Sequence, residues 1–162
     1  MFQSGTVLLV EDDDTVAELV RFELEEAGWA VAGPFGGVSE AMEAVGRVCA
    51  DVALLDVSLH GGHAFPVADL LVQRGTPFAF TSGWSDDDLP ARFARTPKLR
   101  KPYRLAQLLA VLQRLQEAAP HSPASCPVRA AGPGRRREMA ELGSTGLPAE
   151  RIRLFPSGGR RT

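Results

Sequence analysis

Cysteine is scarce, with only Cys49 and Cys126 in a chain of 162 residues. Two are too few and too far apart for a disulfide framework or a zinc site. The expectation is one small core residue and one residue in a terminal segment, in a reducing cytoplasm. No apolar run nears the ~20 residues that cross a bilayer. The opening MFQSGT has no basic stretch followed by a long apolar one, so no secretory signal is expected. No G-x-G-x-x-G follows the first apolar run, which removes a dinucleotide-binding module. Internal repeats and a DNA-binding domain are missing too.

Charge is present but unevenly placed. Residues 1–117 hold 17 acids and 10 Lys/Arg, a net of −7, whereas residues 118–162 hold 3 acids and 8 Arg, a net of +5. Such a shift marks two physical objects. The first, 1–117, reads as one folded domain. The second, 118–162, is rich in Pro, Gly, Ser and Arg, has no apolar period, and is expected to be largely disordered.

Within the first part, short apolar runs alternate with helical patterns. TVLLV (6–10), WAVAGPF (29–35), DVALLD (51–56), PFAFTS (77–82) and the weaker PKLR (97–100) read as strands, the continuous apolar ones being buried on both faces. A first helix starts at Asp13 or Asp14, with Val16, Leu19, Val20, Phe22, Leu24 and Ala27 as its apolar stripe. A second spans Ser39–Val48, with Met42 among its inner residues. A third spans Phe65–Gln73, and a last runs from Leu105 to Glu117. Between strands four and five, SDDDLPARFAR is broken by Pro90 and allows at most a short helix. Alternation of this kind predicts a doubly wound, five-stranded parallel sheet with crossover helices on both faces.

Ligands of open sheets lie outside the carboxyl ends of the strands. That edge collects Glu11 and Asp12 from strand one, Asp56 from strand three, Thr81 and Ser82 from strand four, and Lys101 after strand five. Like charges this close repel, so a cation is expected among them. Hard oxygen donors suit Mg²⁺, with Glu11, Asp12, Asp56 and the backbone carbonyl of Ser58 as candidate ligands. Asp56 at a strand end suits a nucleophile, Lys101 a point charge for a phosphate, and Ser82 a hydrogen-bond partner for it. Asp13 and Asp14 read as cap and first-turn acids.

Taken in order, LLVEDD, DVALLDVSL, PFAFTSGW and LRKPY resemble the receiver domain of two-component response regulators over about residues 5–117. The resemblance implies a flavodoxin-like (βα)₅ fold with a short or irregular fourth helix. It implies phosphoryl transfer to Asp56 from a histidine kinase or phosphotransfer protein with Mg²⁺, followed by autodephosphorylation. Ser82 takes the switch-hydroxyl position, five residues after Pro77, with Thr81 as the alternative. PFAFTSGW and the broken segment after it are similar to the single-domain receivers with a FATG-aromatic motif, which partner HWE-type histidine kinases. Two positions depart from the pattern. Lys98 stands where many receivers carry a switching aromatic, and His60 where a proline commonly follows the phosphoacceptor loop.

Other readings stand beside this one. A phosphorylation-independent pseudo-receiver would bind partners through the same fold. A haloacid-dehalogenase-type phosphohydrolase wants a second acid two residues after the first, where Ser58 stands. The expected chemistry is confined to self-phosphorylation and autodephosphorylation, so the chain is not expected to be an enzyme. Trp84 is placed either over the site or beneath the loop. His60 and His63 read as loop histidines, Asp86–Asp88 as a solvated cap, and Arg135–Arg137 as a basic run with no aromatic interleaving. The expected location is the cytoplasm.

Overall fold

Thr6–Val10 (β1) are five residues with no exposed member. Such a strand must be covered on both faces, and the chain supplies the cover from alternate sides. A computed structural model describes residues 5–83 and 89–119. After β1 come α1 (Asp14–Glu26), β2 (Ala30–Phe35), α2 (Val38–Arg47) and β3 (Val52–Asp56). A short hairpin, β4 (Ser58–Leu59) and β5 (Gly62–His63), leads into α3 (Phe65–Arg74). Then follow β6 (Phe78–Ser82), β7 (Lys98–Arg100) and α4 (Leu105–Ala118). The main sheet is parallel, in the order β2-β1-β3-β6-β7. This is the flavodoxin-like order, whose switch point lies between β1 and β3.

Two apolar layers clasp the sheet. On one side Val20 and Leu24 of α1 and Leu108, Leu112 and Leu115 of α4 pack on Val7, Leu9, Leu54 and Ala79. On the other, Ala41, Ala44 and Val45 of α2 and Val67, Ala68 and Leu71 of α3 pack on Leu8, Val10, Leu55 and Phe80. Cover from both sides explains why β1, β3 and β6 are buried along nearly their whole length, whereas the edge strands β2 and β7 are not.

The expected strands agree with the observed ones to within a residue, and the last helix extends to Ala118. Two helical faces differ from expectation. Leu19 and Phe22 are 58% and 62% exposed, and Ala17 takes the buried place instead. Met42 of α2 is also exposed. In α1 nearly every third or fourth position offers an apolar side chain, so periodicity alone admits two stripes; the small Ala17 lets the helix sit close to the sheet.

Between β6 and β7 the described residues hold one 3-10 turn, Ala91–Phe93. Phe93 is buried against Phe78, Phe80 and Phe65, with ring centroids 5.4–6.2 Å apart. Arg92 grips Asp69 of α3 through two hydrogen bonds of 2.9 and 3.0 Å. An aromatic plug and an ion pair thus hold the turn against α3. Trp84, Asp86–Asp88, Cys126 and Arg135–Arg137 lie outside the described residues. Cys49 is buried in the core, as expected of a small apolar side chain. No helix among the described residues is long and apolar enough to cross a membrane.

Candidate functional site

Strand ends place the acids. β1 delivers Glu11 just past Val10, and the Glu11 N–H donates to the Phe35 carbonyl at 3.0 Å. That bond depends on an irregularity in the β1–β2 pairing. Gly33 sits there at φ +118°, where a Cβ would lie 2.5 Å from the Leu9 carbonyl oxygen; only glycine fits. Asp13 closes the turn as the N-cap of α1, accepting from Thr15 and Val16 N–H at 2.9 and 3.0 Å. Asp14 is the first helical residue. The four consecutive acids therefore divide: Glu11 and Asp12 face the site, Asp13 and Asp14 serve the helix.

Asp56 ends β3 with only 8% of its surface exposed, and Glu11 has 4%. Ligand oxygens of Glu11, Asp12 and Asp56 all lie within 4.8 Å of one another. At that spacing each pair of charges repels by about 3 kcal/mol at an effective dielectric of 20. Lys101 enters this cluster from the end of β7. Its Nζ donates to Glu11 Oε2 and to Asp56 Oδ2, both at 2.6 Å. One cation among three acids leaves the cluster net negative.

Burial pushes the Glu11 carboxyl above its usual range, the Lys101 hydrogen bond opposes this, and the Asp56 charge adds to it. For Lys101, burial pulls the ammonium down, but the hydrogen bonds to Asp56 and Glu11 and their charges outweigh it, so its pKa is raised. A carboxylate trio with spare negative charge is a donor set that fits a small hard divalent cation, which takes few protein carboxylates and retains waters.

The remaining predicted residues surround this cluster. The Ser58 N–H donates to Asp56 Oδ1 at 3.1 Å, so the backbone after β3 curls over the acid. Thr81 and Ser82 differ in exposure. Thr81 is buried, 1% exposed, and stands opposite Asp56 in the β3–β6 register. Ser82 is half-buried at the strand end, and its carbonyl accepts the Lys101 N–H at 2.8 Å. The strand end at Ser82 is thereby tied to the lysine. Lys98 pairs in register with Phe80.

The histidine loop is more ordered than its Gly61-Gly62 pair implies. β4 and β5 pair as a hairpin around His60 and Gly61, with Gly61 and Gly62 at φ +89° and +132°. The His60 backbone bridges to the β2–α2 loop: its N–H donates to the Gly36 carbonyl and its carbonyl accepts from Val38, at 3.1 and 3.2 Å. Its side chain is 75% exposed, with Nε2 4.0 Å from Asp12 Oδ2. His63 stacks on Phe65 at 5.1 Å and does not join the acids.

Sequence reasoning passed over Tyr103. It packs on the core layer beneath α4. Burial raises its phenol to about 12, and the charges of Lys101, Glu11 and Asp56 act on it as well. Its position two residues after Lys101, just before an amphipathic helix, was the available signal.

A scan against protein-family models and a search of curated proteins both find no match. Solved structures do match. SdrG from Sphingomonas melonis Fr1 is 34% identical over 71% of this chain and 98% of its own, with a TM-score of 0.63. The signal receiver domain of a modulated diguanylate cyclase from Desulfovibrio desulfuricans G20 is 28% identical over 70% of this chain and 94% of its own, with a TM-score of 0.63. The receiver domain of the sensor histidine kinase PA1611 from Pseudomonas aeruginosa PAO1, with a magnesium ion coordinated in its active-site cleft, is 21% identical over 71% of this chain and 99% of its own, with a TM-score of 0.63.

Proposed function

Because the chain belongs to the response regulator receiver family, we propose that Asp56 accepts a phosphoryl group from a histidine kinase or phosphotransfer protein in a two-component phosphorelay. The observation that carries this reading is the convergence of Glu11, Asp12 and Asp56 around the Lys101 ammonium.

In the transfer, an Asp56 carboxylate oxygen attacks phosphorus. The phosphorus–nitrogen bond to the donor histidine breaks, and the nitrogen keeps the electron pair. Lys101 is placed to hold a phosphoryl oxygen by charge, and the Ser82 hydroxyl to hydrogen-bond another. Most of the barrier reduction in such transfers is positioning and electrostatics. Mg²⁺, when held by Glu11, Asp12, Asp56 and the Ser58 carbonyl, supplies positive charge that offsets both the acids and the phosphoryl oxygens. Water later attacks the phosphorus, the bond to Asp56 breaks, and inorganic phosphate leaves. No other substrate is turned over, so the chain is not an enzyme in the ordinary sense. We place it in the cytoplasm, acting through protein contacts and without specific DNA binding.

The narrower reading is a FATG-aromatic receiver that partners an HWE-type kinase. PFAFTSGW and the single 3-10 turn described between β6 and β7 support it. The alternative is a pseudo-receiver that binds partners unphosphorylated. Lys98 in place of a switching aromatic favours that alternative, and the complete acid, serine and lysine set opposes it.

Incubation with Mg²⁺ and acetyl phosphate, followed by intact mass measurement, tests the proposal. The expected result is a gain of one phosphoryl group that disappears in Asp56→Asn. Wild-type protein that stays unmodified even with its own kinase would establish the pseudo-receiver instead.

A further inference from the structure

Among the described residues, helix α1 presents an outer face with exposed apolar side chains. Leu19 and Phe22, 58% and 62% exposed, lie three residues apart on that face. Acids surround them. The helix DTVAELVRFELEE holds Asp14, Glu18, Glu23, Glu25 and Glu26 against one arginine. That arginine, Arg21, is already paired with Glu18 and Glu25 at 3.5 and 3.4 Å. An apolar pair framed by net negative charge fits a segment that carries large apolar side chains between cations.

The chain contains such a segment. Beyond the described residues, 120–162 carry all 8 of the arginines that give this part its net charge of +5. Only at Arg151-Ile152-Arg153-Leu154-Phe155 does arginine alternate with large apolar residues there. The starting point is favourable too. Helix α4 packs in the same layer as α1, and the chain leaves it at Ala118. About 30 residues then separate Ala119 from Arg151, an extended reach of about 100 Å, well beyond the width of a small domain.

We infer that residues 151–155 dock on the Leu19–Phe22 face of α1 within the same molecule. Ile152, Leu154 and Phe155 cover the two exposed side chains, and Arg151 and Arg153 meet the surrounding glutamates. Tethering makes the encounter intramolecular, so modest contacts suffice.

Amide chemical shifts of the full chain test the docking without any phosphorylation. Leu154→Asp combined with Phe155→Asp is expected to shift the amides of Glu18, Leu19, Phe22 and Glu26. Phe22→Asp is expected to shift those of 151–155 in return, and both effects should shrink near 1 M salt, where the Debye length is about 3 Å. Phe22 is exposed, so the fold should survive, and unchanged sheet amides would check that. If the Phe22 variant does not fold, the tail variant still reads the same face. Shifts confined to the immediate neighbours of each substitution would overturn the inference. Reciprocal shifts that grow with protein concentration would overturn it in favour of a second copy of the chain.

Discussion

Lys101 Nζ lies 2.6 Å from Asp56 Oδ2 while also holding Glu11 at the same distance. The lysine thus does two jobs: it is the expected phosphate contact and the main internal counter-charge of the acid cluster. Lys101→Met should therefore destabilise the metal-free protein, by about 1–3 kcal/mol for buried acceptors left unpaired. Added Mg²⁺ should restore much of that loss, yet phosphorylation by acetyl phosphate should remain impaired. Urea midpoints with and without Mg²⁺, read beside intact mass, check the pair of effects.

Asp12→Asn should act in the opposite sense on metal-free protein. It removes one of three mutually repelling carboxylates, so stability without metal should rise or hold. Wild type should gain about 2.7 kcal/mol when Mg²⁺ is present at 100 times its dissociation constant, and the variant should lose most of that gain. A thermal melt across a Mg²⁺ series decides it, and an equal response in both proteins would count against Asp12 as a ligand.

Asp13→Ala separates a cap from a ligand. Asp13 accepts two backbone N–H bonds at the start of α1, so the substitution should cost about 1 kcal/mol of stability. The Mg²⁺ dependence of the melt should be unchanged. A weakened metal response would show that the third acid belongs to the site after all.

Tyr103 provides a pH probe because it is the only tyrosine in the chain. Its pKa is raised from 10.0 to about 12, chiefly by burial. The unfolded chain releases that proton first, so stability falls as pH climbs from the unfolded value toward the folded one. The loss is roughly 2–3 kcal/mol for a shift of this size. An ultraviolet titration should show one late tyrosinate transition, and Tyr103→Phe should flatten the alkaline slope. Glu11 predicts a second slope at the acid end. Its raised pKa means the metal-free fold binds that proton more tightly than the unfolded chain, so this group's contribution to stability declines as pH rises from the unfolded value near 4.5 through the folded one.

Phe93→Ala should cost about 3–5 kcal/mol, the usual range for a buried aromatic, because its ring meets Phe65, Phe78 and Phe80. Val72→Ala, at a side chain 60% exposed, should stay within about 0.5 kcal/mol. Chemical denaturation of the two variants compares them. Similar losses would mean that the turn at Ala91–Phe93 contributes little to the core.

Much of the fold was legible in the sequence because buried parallel strands leave continuous apolar runs, and their alternation with helices admits few topologies. Val7–Val10 and Leu54–Leu55 need cover on both sides whatever surrounds them. The acids at the ends of those strands were legible for the same reason: a polar residue closing an apolar run lands on the sheet edge. Helix faces were less so. The α1 pattern offers two apolar stripes, and only contact with the sheet decided that Ala17 goes inside while Leu19 and Phe22 stay out.

The sequence by itself determined which side chains reach one edge of one sheet: Glu11, Asp12, Asp56, Ser82 and Lys101. Parallel strand polarity follows from the alternation of strands and helices, and that pattern is written in the chain. Tertiary structure alone decided how those groups are paired. Lys101 bridges Glu11 and Asp56 across 90 and 45 positions of sequence, the Ser58 amide turns back on Asp56, and Tyr103 is half-buried within reach of their charges. Distances of a few ångströms between residues far apart in the chain depend on how two helical layers settle on a twisted sheet, and no local periodicity encodes that.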